Sequence, residues 1–412
     1  MPSVCFYFQV HQPFRIKRYS FFDIGNDHFY EDADKNRAIL DKVSENCYLK
    51  TNQKMLELIH RHQGKFRISY SLSGVFIEQC ENYRPDVLQS FIELAKTGCV
   101  EFISETYYHS LSFLFSKKDF KRQVAEHAEK IKQYFGQTPR IFRNTELIYN
   151  NELAAFIEKM GYKGILCEGV DRLLGNRTPN FVYQPAGTKK IKALLKNYRL
   201  SDDIAFRFSD RNWSDFPLTA DKFAGWVHKV AGNGEIVNLF MDYETFGEHQ
   251  WENTGIFEFL DHLPAEIMKH PDFDFKTPSE VIAAYPARDV YDAHDFISWA
   301  DIERDLSAWK SNSMEEEAFS KIYALEKRVN SLGNQDITDV WSKLQTSDHF
   351  YYMCTKYWSD GDVHKYFSPY DSPYDAYIYY MNVLSDFELT LKNAESGKPA
   401  LKRRKAETVT AD

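Results

Sequence analysis

Ile236-Val237-Asn238-Leu239-Phe240-Met241-Asp242-Tyr243-Glu244 is a run of strand-favouring apolar residues that stops at two carboxylates. Arg143-Asn144-Thr145-Glu146 has the same form, following the short apolar run at Ile141-Phe142. Strand ends of an α/β barrel are where catalytic side chains collect, so two such endings predict a paired-carboxylate site at one end of a largely parallel barrel.

Working outward, strands are predicted near residues 4–10, 66–70, 100–104, 140–143, 164–167, 197–200, 236–241 and 272–275, with helical patterns between them. Asn150-Asn151 caps a helix that runs to Met160 and stops at Gly161, and Thr277-Pro278-Ser279-Glu280 is a capping box with proline at the first helical position. Seven or eight β/α units fit a barrel better than a dinucleotide-binding sheet, because no GxGxxG follows any strand. After Tyr285-Pro286 helical periodicity takes over. Ser313 with Glu316 opens one helix, Phe319, Ile322, Tyr323, Glu326 and Val329 give its spacing, and Gly333 closes it. The expected organisation is a barrel over residues 1–285, a helical domain contributing to the cleft over 286–395, and a polar, disordered tail over 396–412. With 412 residues the chain is long enough for two such parts.

Composition excludes several classes. A hydrophobic share of 43% is too high for a disordered chain, and no stretch approaches the roughly 18 apolar residues of a membrane helix. The first ten residues lack the basic start and cleavage site of a signal peptide and read as a first strand. Six cysteines without CxxC spacing read as reduced thiols in a cytoplasmic protein. A net charge of −9 argues against nucleic acid, and the basic run Lys402-Arg403-Arg404-Lys405 lies in the polar tail. No membrane partner is expected, and a homo-oligomer stays open. Aromatics make up 16%, many beside polar residues, as in Tyr107-Tyr108-His109, His249-Gln250-Trp251 and Tyr357-Trp358. Such pairs suit sites that stack rings on sugars and bind hydroxyls at the ring edge.

Polar side chains gather at the ends of at least four units. The first strand ends in His11-Gln12-Pro13, where proline cannot extend a central strand. The third carries Glu101 and runs into Ser104-Glu105-Thr106-Tyr107-Tyr108-His109. The fourth delivers Arg143, Asn144 and Glu146, and the strand from Ile236 delivers Asp242, Glu244, Glu248, His249 and Trp251. Each alone has a structural explanation: His11 as a satisfied strand-end histidine, Arg143 as a partner of Glu101, Glu248 as solvated loop charge. Their combination points to a site.

His11-Gln12-Pro13, Glu101 within its strand, Thr145-Glu146, Asp242-Tyr243-Glu244-Thr245-Phe246-Gly247 and Thr346-Ser347-Asp348-His349 resemble, in order, the five motif regions of glycoside hydrolase family 57. The stretches Asp242 to Trp251, Ser104 to His109 and Leu344 to His349 are most similar to its α-amylase-type group. The resemblance implies a distorted (β/α)7 barrel followed by a C-terminal α-helical bundle, and a retaining mechanism on α-glucans or maltooligosaccharides with Glu146 as nucleophile and Asp242 as general acid/base. It implies substrate contacts for His11, Glu101, His109, Arg143, Glu244, Asp348 and His349, with Trp213 and Trp251 as stacking platforms, and neither metal nor cofactor. Ser347 or Asp348 as a helix N-cap, and Trp213 as a lid over a neighbouring helix, are the structural readings of those positions.

The chemistry agrees. A glycosidic oxygen is a poor leaving group, so one carboxyl must be protonated to donate to it while the other is ionised to attack the anomeric carbon. Arg143 and His11 near Glu146 favour its anion, and Phe240, Met241 and Phe246 around Asp242 favour its neutral form. A metal-dependent deacetylase is the nearest rival enzyme class, but the Asp-Asp doublet near the first strand and the His-x-x-x-His run it needs are missing: Asp202-Asp203 follows the sixth predicted strand, and His60 and His62 have the wrong spacing. A 4-α-glucanotransferase or branching enzyme shares the first chemical step. A silent α-glucan-binding protein is disfavoured by the presence of both carboxylates.

Overall fold

The computed structural model describes residues 2–356 and 367–397. Tyr357, Trp358 and the tail after Gly397 lie outside the described residues. Ten strands are formed among the described residues: β1 Ser3–Val10, β2 Ile68–Leu72, β3 Val100–Phe102, β4 Ile141–Arg143, β5 Gly164–Glu168, β6 Val182–Pro185, β7 Lys192–Lys196, β8 Ile236–Asp242, β9 Asp274–Phe275 and β10 Asp289–Tyr291. One sheet runs β3-β2-β1-β8 with β9 beside the start of β1, and a second runs β10-β6-β7-β5-β4. The two join at both seams. Ser104 N–H donates to the Ile141 carbonyl at 3.0 Å and Arg143 N–H to the Ser104 carbonyl at 2.8 Å, while Asn197 N–H reaches the Asn238 carbonyl at 2.9 Å. The circuit β1-β2-β3-β4-β5-β7-β8 is a distorted seven-stranded barrel, all parallel in the pairs it makes, with β6 antiparallel on β7.

Strand periodicity explains why it closes. In β1, Val4, Phe6, Phe8 and Val10 face the helical shell, and Cys5 and Tyr7 join Ile103, Ile141, Leu166, Val182, Leu194, Ile236 and Phe240 in an interior cluster. Both faces of β8 are buried except at Asp242, so a continuous apolar run that ends in a carboxylate is what this position requires. The helix Pro278–Ala284, opened by the expected Thr277 and Glu280 capping box, inserts Val281 into the interior cluster. Its approach follows the pairing of β9 with Ser3 and Val4, so it closes the barrel at the end where the strands begin.

The C-terminal helices Ser313–Ala324, Glu326–Leu332, Gln335–Lys343, Ser347–Tyr351 and Pro373–Glu395 enclose a second core around Trp309, Phe319, Trp341, Phe350 and Phe387. Ile16, Tyr19 and Tyr30 from the loop after β1 belong to that core, which clamps the bundle to the barrel. The long periodic stretch expected as one helix breaks after Ala324, and its N-cap is Asn312 with Glu315 rather than Ser313 with Glu316.

Two strand assignments differ from expectation. Residues 197–200 begin a helix, Tyr198–Ala205, because the Asn197 side chain accepts from Leu200 N–H at 3.2 Å and caps it. The sheet instead uses β6 and β7. Lysines at both ends of β7 hide its strand character from a hydrophobicity pattern, since Lys196 is buried by pairing with Asp202 at 3.0 Å. β10 also extends the sheet past residue 285.

Gly247 follows the β8 carboxylates at φ 113°, and a Cβ there would collide with the Asn46 carbonyl oxygen. Gly247→Ala is predicted to destabilise the fold by roughly 1–3 kcal/mol from backbone strain alone, with the collision in addition. Calorimetry showing an unchanged Tm would contradict this account of the loop.

Candidate active site

Strand ends and one helical segment converge on Glu146. The residue lies just past β4 at φ 58°, ψ 28°, with Leu147 at φ 51° and His109 at φ 50°, conformations that cost non-glycine residues about 1–3 kcal/mol each. Tertiary contacts hold this backbone. Asn144 Nδ2 donates to the Ile148 carbonyl at 3.1 Å, the Thr106 and Thr145 hydroxyls share a 2.8 Å bond, and Trp299 N–H donates to the Glu146 carbonyl at 3.3 Å.

The Glu146 carboxylate is gripped on both oxygens, by His109 Nε2 at 2.9 Å and by Trp299 Nε1 at 2.7 Å. His109 Nδ1 is bonded at 2.8 Å to Glu105, which also receives Gln9 Nε2 at 3.0 Å. Burial alone would push Glu146 up, but the hydrogen bond and charge of His109, then the Arg143 guanidinium, hold it below the usual carboxylate range. Glu105 is drawn down to about 2 against its burial by the same histidine, and His109 is raised to about 9 against its own burial by Glu105 and Glu146.

Asp242 shifts the other way. Burial and the neighbouring Glu146 charge raise it to about 6. Glu244, fully enclosed, rises to about 8 through burial and Asp242, and accepts a hydrogen bond from the Tyr48 hydroxyl. Tyr48 closes the π-helical turn Ser44–Tyr48, a widened turn that also sets Cys47 Sγ on the Tyr243 carbonyl. Two carboxyls at the same end of the barrel are thus separated in protonation, one ionised and one neutral below about pH 6.

His11 Nε2 bonds Asp348 at 2.9 Å and its Nδ1 bonds Ser73 at 2.7 Å, and its ring stacks on His109 with centroids 3.9 Å apart. Asp348 comes from the helical part, which is stitched to the barrel where Ser347 N–H donates to the His109 carbonyl at 2.9 Å. Thr346, not Ser347 or Asp348, occupies the N-cap, and its hydroxyl donates to the Tyr108 carbonyl. Behind Glu146, the Arg143 guanidinium stacks on Trp299 at 4.9 Å and Lys196 lies 5.3 Å from the same ring. Arg143 is wholly buried, and its three guanidinium nitrogens make no hydrogen bond among the described residues.

His11, His109, Arg143, Glu146, Asp242, Glu244 and Asp348 are therefore brought together. Others are not. Glu101 accepts from the Ser279 N–H at 2.9 Å and from its hydroxyl, capping the helix that closes the far end of the barrel. His349 turns into the bundle, where its Nε2 meets the Lys343 carbonyl and its ring lies against Tyr380. Trp213 packs edge-on against Trp226, with the Arg207 guanidinium 5.7 Å from its ring, in a shallow outer groove. Trp251 stands 60% exposed on the loop after β8. Arg143 does flank Glu146, but the histidine that charges the site is His109, not His11, because burial and His109 keep His11 below its ordinary value. Glu105 and Trp299 were missed. Glu105 had a signal, four residues before His109 at a strand end, whereas Trp299 sits in an irregular segment and has none.

The sequence pattern of Glycosyl hydrolase family 57 matches residues 5–294, which include every barrel strand and both central carboxyls. The chain belongs to glycosyl hydrolase family 57. A Methanocaldococcus jannaschii protein named "Putative alpha-amylase" is 45% identical over 402 residues, covering 94% of this chain and 85% of its own length. Among solved structures, a GH57-type branching enzyme from Pyrococcus horikoshii superposes with a TM-score of 0.72 at 15% identity, covering 97% of this chain and 92% of that one. An alpha-amylase from Thermotoga maritima superposes with a TM-score of 0.61 at 13% identity, covering 97% and 94%. These two likenesses speak to the fold: a family barrel followed by helices.

The raised His109 has a consequence for stability. Its folded value, about 9, exceeds the ordinary 6.5, so its contribution is complete below about pH 6.5 and is lost as the pH rises through 9. The Tm advantage of the native chain over His109→Asn is predicted to shrink between pH 7 and pH 10. A pH-independent difference in calorimetry would refute the assigned charge.

Proposed function

We propose that this family 57 enzyme cleaves α-glucosidic bonds of α-glucans, such as maltooligosaccharides or glycogen-like chains, with retention of configuration. The observation that carries the reading is the opposite displacement of two carboxyls at the same end of the barrel: Glu146 is held down by His109 and Arg143 against its burial, and Asp242 is pushed up to about 6 by burial and by Glu146. Glu146 is the nucleophile and Asp242 the general acid/base. The α-amylase name of the 45% identical relative supports the substrate class.

In the first step Asp242 delivers its proton to the glycosidic oxygen while a Glu146 oxygen attacks the anomeric carbon, so the C–O bond breaks and a glycosyl ester forms. Loss of the Glu146 charge relaxes its hold on the Asp242 proton equilibrium, which lowers the acid's affinity for a proton as it becomes the base. In the second step the Asp242 carboxylate takes a proton from water, whose oxygen displaces Glu146 at the same carbon. Asp348, partly exposed and held by His11, faces the cluster from the side and is assigned to sugar hydroxyls, and exposed Trp251 to a ring further along the chain.

Among the described residues no helix is long and apolar enough to cross a membrane, and all six cysteines are free and buried. The second fact supports a cytoplasmic setting.

The test is product analysis on a maltooligosaccharide ladder. Native protein is predicted to give shorter products only, with the α-anomer appearing first by NMR, and to keep its rate in EDTA. Glu146→Gln is predicted to abolish turnover, and Asp242→Asn to lower it by roughly 10²- to 10⁴-fold while removing the fall in kcat/KM above about pH 6. Products longer than the substrate would establish transfer to a sugar, and turnover by Glu146→Gln would refute the nucleophile.

A further inference from the structure

Glu105 is wholly buried, so it touches no substrate, yet it is one bond removed from the residue assigned to attack. It accepts from His109 Nδ1, and His109 Nε2 meets Glu146 Oε1, giving a chain Glu105–His109–Glu146 with links of 2.8 and 2.9 Å. A carboxylate at each end of an imidazole calls for two N–H donors, which only the protonated ring provides. Stacking supplies an independent constraint. His11 and His109 lie face to face at 3.9 Å and 18°, too close for both to be cationic.

Partners decide which ring carries the charge. His11 has one carboxylate, Asp348, on Nε2, and on Nδ1 a Ser73 hydroxyl that can donate. A neutral His11 that donates from Nε2 and accepts at Nδ1 satisfies both bonds, so His11 does not need the proton and His109 does.

We propose that Glu105 is a positioning residue for the glycosidase reaction: it keeps His109 an imidazolium turned toward Glu146, which occupies one carboxylate oxygen and holds the buried nucleophile ionised. No proton is transferred along the chain. The inference rests on Glu146 being the nucleophile.

Charged and titratable groups face His109 from several elements. Glu105 lies on its own loop. Glu146 and Arg143 come from β4, His11 from the end of β1, Asp348 from the helix Ser347–Tyr351, and Asp242 from β8. Behind Glu105, His127 of the helix Lys117–Phe135 accepts the Glu105 N–H at 3.4 Å and meets the Leu72 carbonyl at 2.8 Å, and burial holds it below its ordinary value. Arg143 also favours both carboxylates as anions, but its nitrogens make no bond that would orient them. Directional control of Glu146 falls to His109 and Trp299, and only His109 depends on a further carboxylate.

The test uses the full chain with isotope-labelled histidine, His109 being assigned by the signal lost in His109→Gln. In the native enzyme the His109 ring is expected to stay protonated at pH 7.5, with a midpoint near 9. In Glu105→Gln the midpoint is expected to fall by about one unit or more. The alkaline limb of kcat/KM shifts with it: between the two midpoints His109 is neutral in the variant and cationic in the native enzyme, so kcat/KM at pH 8.5 falls about threefold further below native than at pH 6. Glu105→Asp, which keeps the charge, restores part of both. A His109 midpoint at or below 6.5 in the native enzyme overturns the proposal, and that reading stands even where Glu105→Gln does not fold. An unmoved midpoint and unmoved limb in Glu105→Gln also overturn it. Glu146→Gln serves as the control: turnover retained there refutes the nucleophile assignment, whereas a dead Glu146→Gln beside a Glu105→Gln with native profile refutes the role of Glu105 alone.

Discussion

His109 bridges Glu105 and Glu146 inside a barrel mouth from which most water is excluded. Removing an ionised carboxylate from water without a partner costs several kcal/mol, so the wholly buried Glu105 and the partly exposed Glu146 are both stabilised as anions by the imidazolium between them, with Arg143 adding to it. The other features of the site follow from that constraint. The left-handed backbone at His109, Glu146 and Leu147 is the conformation that aims these side chains at one another, and the contacts of Asn144, Thr145, Thr106 and Trp299 sustain it. With one negative charge secured on Glu146, a second nearby becomes unfavourable, and Asp242 takes a proton more readily. His109, with Arg143 beside it, thus favours the Glu146 anion, and that anion with burial favours the Asp242 proton.

The scaffold explains why this arrangement can be rigid. Parallel strands with both faces buried place Glu105 and Glu146 just past the ends of β3 and β4 and Asp242 at the last position of β8, while the helix Pro278–Ala284 seals the opposite end. The bundle is not an appendage. It supplies Asp348 to His11, and the segment that leads into it supplies Trp299 to Glu146, so barrel and helices complete one site. Arg143 and Lys196, both buried, flank the Trp299 ring that holds Glu146 and extend the positive field there.

Much of this was legible before any coordinates. Apolar runs that end in carboxylates gave away β4 and β8, Thr277-Pro278-Ser279-Glu280 gave away its helix, and His11, His109, Glu146, Asp242 and Asp348 were marked by their place at strand ends and in ordered motifs. Misreadings came where a local pattern was overridden. β7 was hidden because its lysines carry charge that tertiary contacts satisfy, Lys196 through ion pairs with Glu168 and Asp202 and Lys192 through the Ile282 and Tyr285 carbonyls. Glu101 shares a motif with the site residues, yet it lies two turns of the strand pleat below Glu105 and caps a helix at the barrel's far end. His349 is adjacent in sequence to Asp348, but successive residues of a helix point in different directions, and it faces the bundle.

The sequence by itself determined the class of fold and the placement of two acids at strand ends, because strand periodicity and the termination of apolar runs are local properties of the chain. Only the tertiary structure decided their protonation. A carboxyl's charge depends on burial and on partners many residues away, here His109 at 37 residues and Trp299 at 153 from Glu146, and no spacing rule encodes those neighbours.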